Sequence, residues 1–224
     1  GSGLSVTLND TANTVIPLTN TSNSNILTGT YTVPANATQA DLSVLSYAIT
    51  AGKTVSDIYG NLLASTAIPT GENLADNQAI VIDTSVPTNT ISSVQYNSTD
   101  KSLVFTGTDM TTLAVAGTDL KTSLDWTKLV WDLDGSASNA GVTFSVGDVT
   151  SAIVTSATVF TITLTDTKAA SLTSTVGFAA DGLGSTNTDD NIDVAAGFSR
   201  DASGNAATTD AGANLSPTYS DTVK

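Results

Sequence analysis

The sequence predicts an all-β protein made of two tandem β-sandwich modules, residues 4–84 and 90–224, joined by a short linker at 85–89. The first module reads as incomplete, and the second carries one short helix. Three observations lead there. Thr, Val, Ser, Asn, Asp and Gly dominate while Lys and Glu are scarce, a composition suited to pleated surfaces and tight turns. Short apolar or alternating stretches recur along the chain with turn-forming residues between them, the spacing of a sandwich and not of a parallel α/β sheet. A pattern found early in the chain also returns near its end.

Taken in order, the strand-like stretches are Leu4–Leu8, Ile26–Val33, Val44–Ile49 and Ala79–Ile82, then Ile91–Tyr96, Leu103–Thr106, Leu129–Leu133 and Val142–Val146, and finally Ala152–Thr155, Val159–Leu164 and Ile192–Val194. Pro87 cannot join a central strand and forces its neighbours extended, so Asp83–Asn89 reads as the boundary. One helix is expected at Thr167–Leu172, opened by Asp166 as N-cap.

Composition excludes several chemistries. Cys and His are both absent, which removes disulfides, thiolate or imidazole metal sites and any Ser-His-Asp arrangement. There is no GxGxxG, P-loop or GxSxG pattern, and aromatics make up 5 %, so no enzyme is expected. Acidic residues number 21 against 7 basic ones, a net charge of −14; such a chain repels nucleic acid and anionic membrane and attracts cations. No apolar run approaches the ~18 residues of a membrane span. Gly1-Ser2-Gly3 reads as a cloning remnant, with no signal peptide after it.

The repeat is specific. Ala51-Gly52 followed by Asp57-Ile58-Tyr59-Gly60-Asn61 returns as Ala196-Gly197 followed by Asp201-Ala202-Ser203-Gly204-Asn205, and Asp83-Thr84 returns as Asp221-Thr222. Upstream, Val6-Thr7-Leu8 matches Val142-Thr143-Phe144, and Ile26–Val33 matches Val159–Leu164. On this reading the first module lacks counterparts of about 90–140.

Thr28–Val33, Asp41–Val44, Asp57–Asn61 and Ala79–Thr88 resemble bacterial immunoglobulin-like repeats, tandem modules of very long calcium-dependent surface adhesins of the RTX and biofilm-associated type. Ser102–Thr108 with Asp201–Asn205 is similar to larger relatives in surface-layer and adhesin chains. The resemblance implies an immunoglobulin-like fold and calcium at junctions between modules. Carried over, it implies Asp57, Asn61 and Asp83 as ligands at a first junction and Asp201, Asn205 and Asp221 at a second.

Chemistry leaves two readings of these residues open. Ca²⁺ takes six to eight hard oxygens, and Asp-x-x-Gly-Asn offers a carboxylate and an amide oxygen around a sharp bend. The same pattern is also a good self-capped turn. Asp132-Leu133-Asp134-Gly135 resembles the start of a calcium loop without the closing Glu of an EF-hand, and it also reads as a polar hairpin turn. Asp189, Asp190 and Asp193 place three carboxylates within five positions, either a cation site or a solvated acidic loop. Of Trp126 and Trp131, one is expected in the core and the other is open as an exposed contact.

The expected function is a non-catalytic structural module of an extracellular bacterial cell-surface protein, an adhesin shaft or surface-layer segment rigidified by calcium. Its expected partners are neighbouring repeats or subunits of the same protein. The alternative is a binding or self-assembling module that recognises a sugar, a host protein or a neighbouring subunit through exposed strands.

Overall fold

The computed structural model describes residues 3–20, 25–133, 141–175, 177–178 and 190–220. Asp134, Asp189 and Asp221 lie outside the described residues. The fold is all-β, and the chain divides into two compact units, Gly1–Ser85 and Val86–Lys224.

In the first unit, β1 (Leu4–Leu8) sits between β2 (Val15–Leu18) and β4 (Val44–Ile49) in an antiparallel sheet, and β3 (Thr38–Gln39) pairs with β5 (Ile82–Asp83). Val6, Leu8 and Ile16 meet Ala37, Leu42 and Ile82 in one small core. β2 was not expected because Pro17 interrupts its run; it is an edge strand, where a missing N–H is tolerated. The strand expected at Ile26–Val33 does not form. That segment makes a single bridge, Thr28 to Thr19, and a Cβ on Gly29 would come within 2.6 Å of Ile16 Cγ2. Its backbone abuts β2 at the one residue that permits the approach. A short helix, α1 (Leu74–Asn77), opens on Asn73 with a capping box closed by Asp76.

The second unit holds two sheets around one core. One carries β6 (Thr90–Asn97), β7 (Ser102–Thr108), β10 (Val149–Val154), β11 (Val159–Leu164) and β14 (Thr218–Tyr219), in the order β10-β11-β7-β6-β14. The other carries β8 (Leu129–Asp132), β9 (Val142–Thr143), β12 (Asn191–Val194) and β13 (Gly212–Leu215), in the order β13-β12-β8-β9. Alternation places Leu103 and Phe105 of β7 opposite Ile162 and Phe160 of β11, all buried. Leu129, Trp131, Ile192 and Val194 close the core from the other sheet. Tyr96, Trp131, Phe178 and Tyr219 form an aromatic group in which each ring lies within 6.5 Å of the other three, centroid to centroid.

Both tryptophans are buried, so neither is an exposed contact. Trp126 sits on a 3₁₀ turn (Trp126–Lys128), packs edge-on against Phe198 and donates its indole N–H to the Lys121 carbonyl at 2.9 Å. The expected helix is α2 (Asp166–Thr173), but its N-cap is Thr165, whose hydroxyl accepts from the Lys168 amide. Asp166 falls in the first turn and pairs with Lys101 at 2.8 Å.

The repeat has a different correspondence from the one expected. β1 lies beside β4 as β8 lies beside β12, so the counterpart of β1 is β8; Val142-Thr143, in β9, holds the place of β2. What the first unit lacks among its described residues is a counterpart of the five-stranded sheet.

Both tryptophans belong to the second unit, so their emission reports its unfolding alone. Phe105→Ala should cost about 3–5 kcal/mol, seen as a lower urea midpoint in tryptophan fluorescence.

Candidate functional site

The repeated motif forms the same structure twice. After β4, the Lys53 amide donates to the Thr50 carbonyl with Gly52 at φ +75°; after β12, the Phe198 amide donates to the Ala195 carbonyl with Gly197 at φ +85°. The Asp turn follows in each unit. The Asp57 amide donates to the Asn61 carbonyl and the Gly60 amide returns to the Asp57 carbonyl; Asp201, Asn205 and Gly204 repeat both bonds. Gly60 and Gly204 take φ +87° and +90°, a conformation that L side chains rarely adopt.

Each aspartate closes its own turn. Asp57 Oδ1 accepts from the amides of Tyr59 and Asn61, and its Oδ2 accepts from the Asn61 side-chain amide at 2.8 Å. Asp201 accepts the equivalent bonds from Ser203 and Asn205. Asn61's side-chain and backbone donors hold the Asp57 carboxyl below its ordinary pKa. The surroundings differ, since Asp57 is exposed and Asp201 is buried.

A third turn of this build escaped the sequence reading. The Asn13 amide donates to the Asp10 carbonyl with Asn13 at φ +49°, and Asp10 accepts from the Thr14 amide and hydroxyl, both at 2.6 Å, and from the Tyr31 hydroxyl at 3.0 Å. Asn stands where the others have Gly, and Thr where they have Asn. The shared signal is an Asp four residues before the amide it caps. Burial works to raise the Asp10 pKa, but the Thr14 and Tyr31 donors outweigh it and the carboxyl sits below its ordinary value. Burial, then the Asp10 bond and charge, raise the Tyr31 pKa.

The remaining candidates are dispersed. Asp83 lies in β5 and its carboxylate accepts from the Ser85 amide. Asp132 is buried at the end of β8. Asp190 is fully buried and accepts the Tyr219 hydroxyl, whereas Asp193, half-exposed in β12, accepts the Asn214 amide at 2.7 Å. Asp190 and Asp193 therefore serve separate partners. Sequence reasoning also missed Asp210, a fully buried carboxylate that accepts from the Gly197 and Ser199 amides at 2.9 and 2.6 Å. Asn89, also fully buried, donates to Ser199 Oγ at 3.2 Å and accepts the Thr209 hydroxyl on its carbonyl. No local pattern marks the Asn89 contacts, because the partners are more than a hundred residues apart.

Chemically, each Asp turn is a complete hydrogen-bonded unit with one carboxylate. Among the described residues no group of three or more acidic side chains is gathered that would hold a metal ion, and calcium needs six to eight oxygens. No helix of the described residues is long and apolar enough to cross a membrane. Compared with known protein families, curated proteins and solved structures, the chain matches none.

Two outcomes follow from the turn geometry. Asp201→Ala removes a buried carboxylate and leaves its part-buried donors without their acceptor, and should cost about 1–3 kcal/mol by urea denaturation, while Asp57→Ala, with water at hand for its donors, should cost less. The Asp10 carboxyl has a depressed folded-state pKa, so its contribution is complete above the ordinary carboxylate value and is lost as pH falls through the depressed one. The protection factors of the β1 amides, measured against their intrinsic exchange rates at each pH, should therefore fall on acidification, and Asp10→Asn should flatten that pH dependence.

Proposed function

We propose that this chain is a non-catalytic structural segment of an extracellular bacterial surface protein, an adhesin shaft or surface-layer piece made of tandem immunoglobulin-like sandwich modules. The observation that carries this reading is the recurrence, in both units, of one strand, one glycine turn and one Asp-capped turn in the same order with the same hydrogen bonds. Copies of one frame in series are how a chain gains length without new chemistry. The abundance of hydroxyl and Asp side chains over Lys and Glu fits an exposed β surface outside the cell. Calcium belongs to the reading as a cation drawn by a charge of −14 and bound at the Asp-rich loops; a single Asp turn does not by itself form its ligand set.

A second reading, a module that binds a ligand or a neighbouring subunit, draws support from one feature. Ile58 and Tyr59, at the tip of the first repeated turn, are each 83 % exposed. A spacer needs no such apolar tip.

Antibodies raised against the chain should label intact, unpermeabilised cells of the source bacterium; labelling only after lysis overturns the surface reading. In a thermal melt, calcium should raise the transition above that in EDTA and magnesium should not. Equal melts remove calcium from the proposal.

A further inference from the structure

The first and last described strands of the second unit lie side by side and run the same way. β14 pairs parallel with β6, Thr218 opposite Gln95 and Tyr219 opposite Tyr96, and the Ser220 amide extends the ladder by donating to the Tyr96 carbonyl at 3.1 Å. This polarity has a mechanical meaning. The chain enters β6 at its N-terminal end and leaves β14 at its C-terminal end. Tension between those two points therefore pulls the two strands in opposite senses along their common axis, and every bond between them is loaded at once. In an antiparallel pair pulled apart from its open end, the bonds would break in sequence, each in turn taking the load.

The side chains resist the same displacement. Tyr219 lies edge-on to Tyr96 and Phe178 and tilted against Trp131, with its hydroxyl on the buried carboxylate of Asp190. A slip of one residue, about 3.3 Å, would turn Tyr219 to the opposite face of the sheet. The ring would have to leave the aromatic group and break from Asp190 before β14 could re-pair. β6 is itself anchored to β7 from Thr90 opposite Thr108 to Asn97 opposite Ser102, so load on β6 passes into the interior of its sheet.

We propose that β6, β14 and the Tyr219 side chain form a shear clamp, which carries tension along the chain and ruptures in one step. The proposal deepens the structural reading above and rests on it for its biological meaning. Its test does not, because rupture force belongs to the unit wherever the parent protein resides.

The test is single-molecule force spectroscopy on the full chain in two pulling geometries. In the first, load is applied between the two ends of the chain, and the event from residues 86–224 is identified by its larger contour-length gain. In the second, load is applied between the C-terminus and a single thiol introduced by Asp100→Cys, which is possible because the chain has no cysteine. Residue 100 lies in the turn beyond β6, next to the exit from β14, so this geometry peels β14 away. The clamp predicts a rupture force several-fold higher end to end than in peeling. It also predicts that Tyr219→Ala and Ser220→Pro lower the end-to-end force clearly more than the peeling force. Ser220→Pro removes the amide donor and leaves the aromatic group intact, so the test survives if Tyr219→Ala fails to fold. Equal forces in the two geometries, or end-to-end forces unchanged by both variants, overturn the clamp and leave the surface reading untouched. A protein found inside cells that still shows the asymmetry discards the surface reading and keeps the clamp.

Discussion

The structure depends on one interaction repeated in different settings: an aspartate accepting the backbone amide four residues ahead of it. Acidic residues outnumber basic ones three to one, yet the described residues hold three ion pairs, Lys101–Asp166, Lys168–Asp148 and Arg200–Asp125. Most of the carboxylates described above are held by N–H and O–H dipoles instead. A turn leaves several amides pointing inward without a ladder partner, and a carboxylate with about four lone-pair sites satisfies two or three of them together. Where water is excluded, as at the Gly197 and Ser199 amides that Asp210 accepts, leaving the amides unmet would cost far more than at the surface. Abundant Asp is thus a structural requirement of a β protein built on tight turns, as well as a source of charge.

The two units share a frame and differ in what lies across it. β4 and β12 lead into the same turn, which aligns Ile49 with Val194, Tyr47 with Ile192 and Leu45 with Asp190. In the second unit these positions are buried, at 3 %, 1 % and 0 % exposure, because a five-stranded sheet lies across them. In the first, Ile49 is 38 % and Leu45 53 % exposed, since among the described residues the other sheet of that unit is the short β3–β5 pair. Large exposed apolar residues accordingly concentrate in residues 1–85, while the second unit buries every tryptophan and phenylalanine whose exposure is described except the half-buried Phe178. Burial of that order stabilises each such side chain by about 1.5–3 kcal/mol. The second unit is therefore the one with a full core.

How much of this could be read from the sequence follows the range of the interaction involved. β1, β4 and β11 were legible over their full length, because each is a short run rich in Leu, Val, Ile, Thr and aromatic residues that pairs with a neighbouring strand. β2 was hidden by Pro17, harmless at an edge, and Ile26–Val33 misled because its β-prone residues flank Gly29, which the close approach to β2 requires. The Asp57 and Asp201 turns were legible as a repeat, with capping already one of two readings; Asp10 was not, since Asn and Thr replace the Gly and Asn that marked the others. β14 was illegible altogether. Two residues that pair in parallel with a strand more than a hundred positions earlier leave no local pattern.

The repeated turn also explains where such units are free to differ. Its hydrogen bonds involve the Asp, the Gly and the Asn, together with backbone amides that any residue except proline supplies. The two positions after the Asp are exposed to solvent, and the bonds that the two turns share draw on main-chain amides there. In one unit they are Ile58 and Tyr59, in the other Ala202 and Ser203, and the backbone bonds are unchanged. A frame fixed by main-chain donors thus separates architecture from surface chemistry. A tip can gain or lose an apolar contact without cost to the turn, so any recognition these modules carry has its least constrained place there.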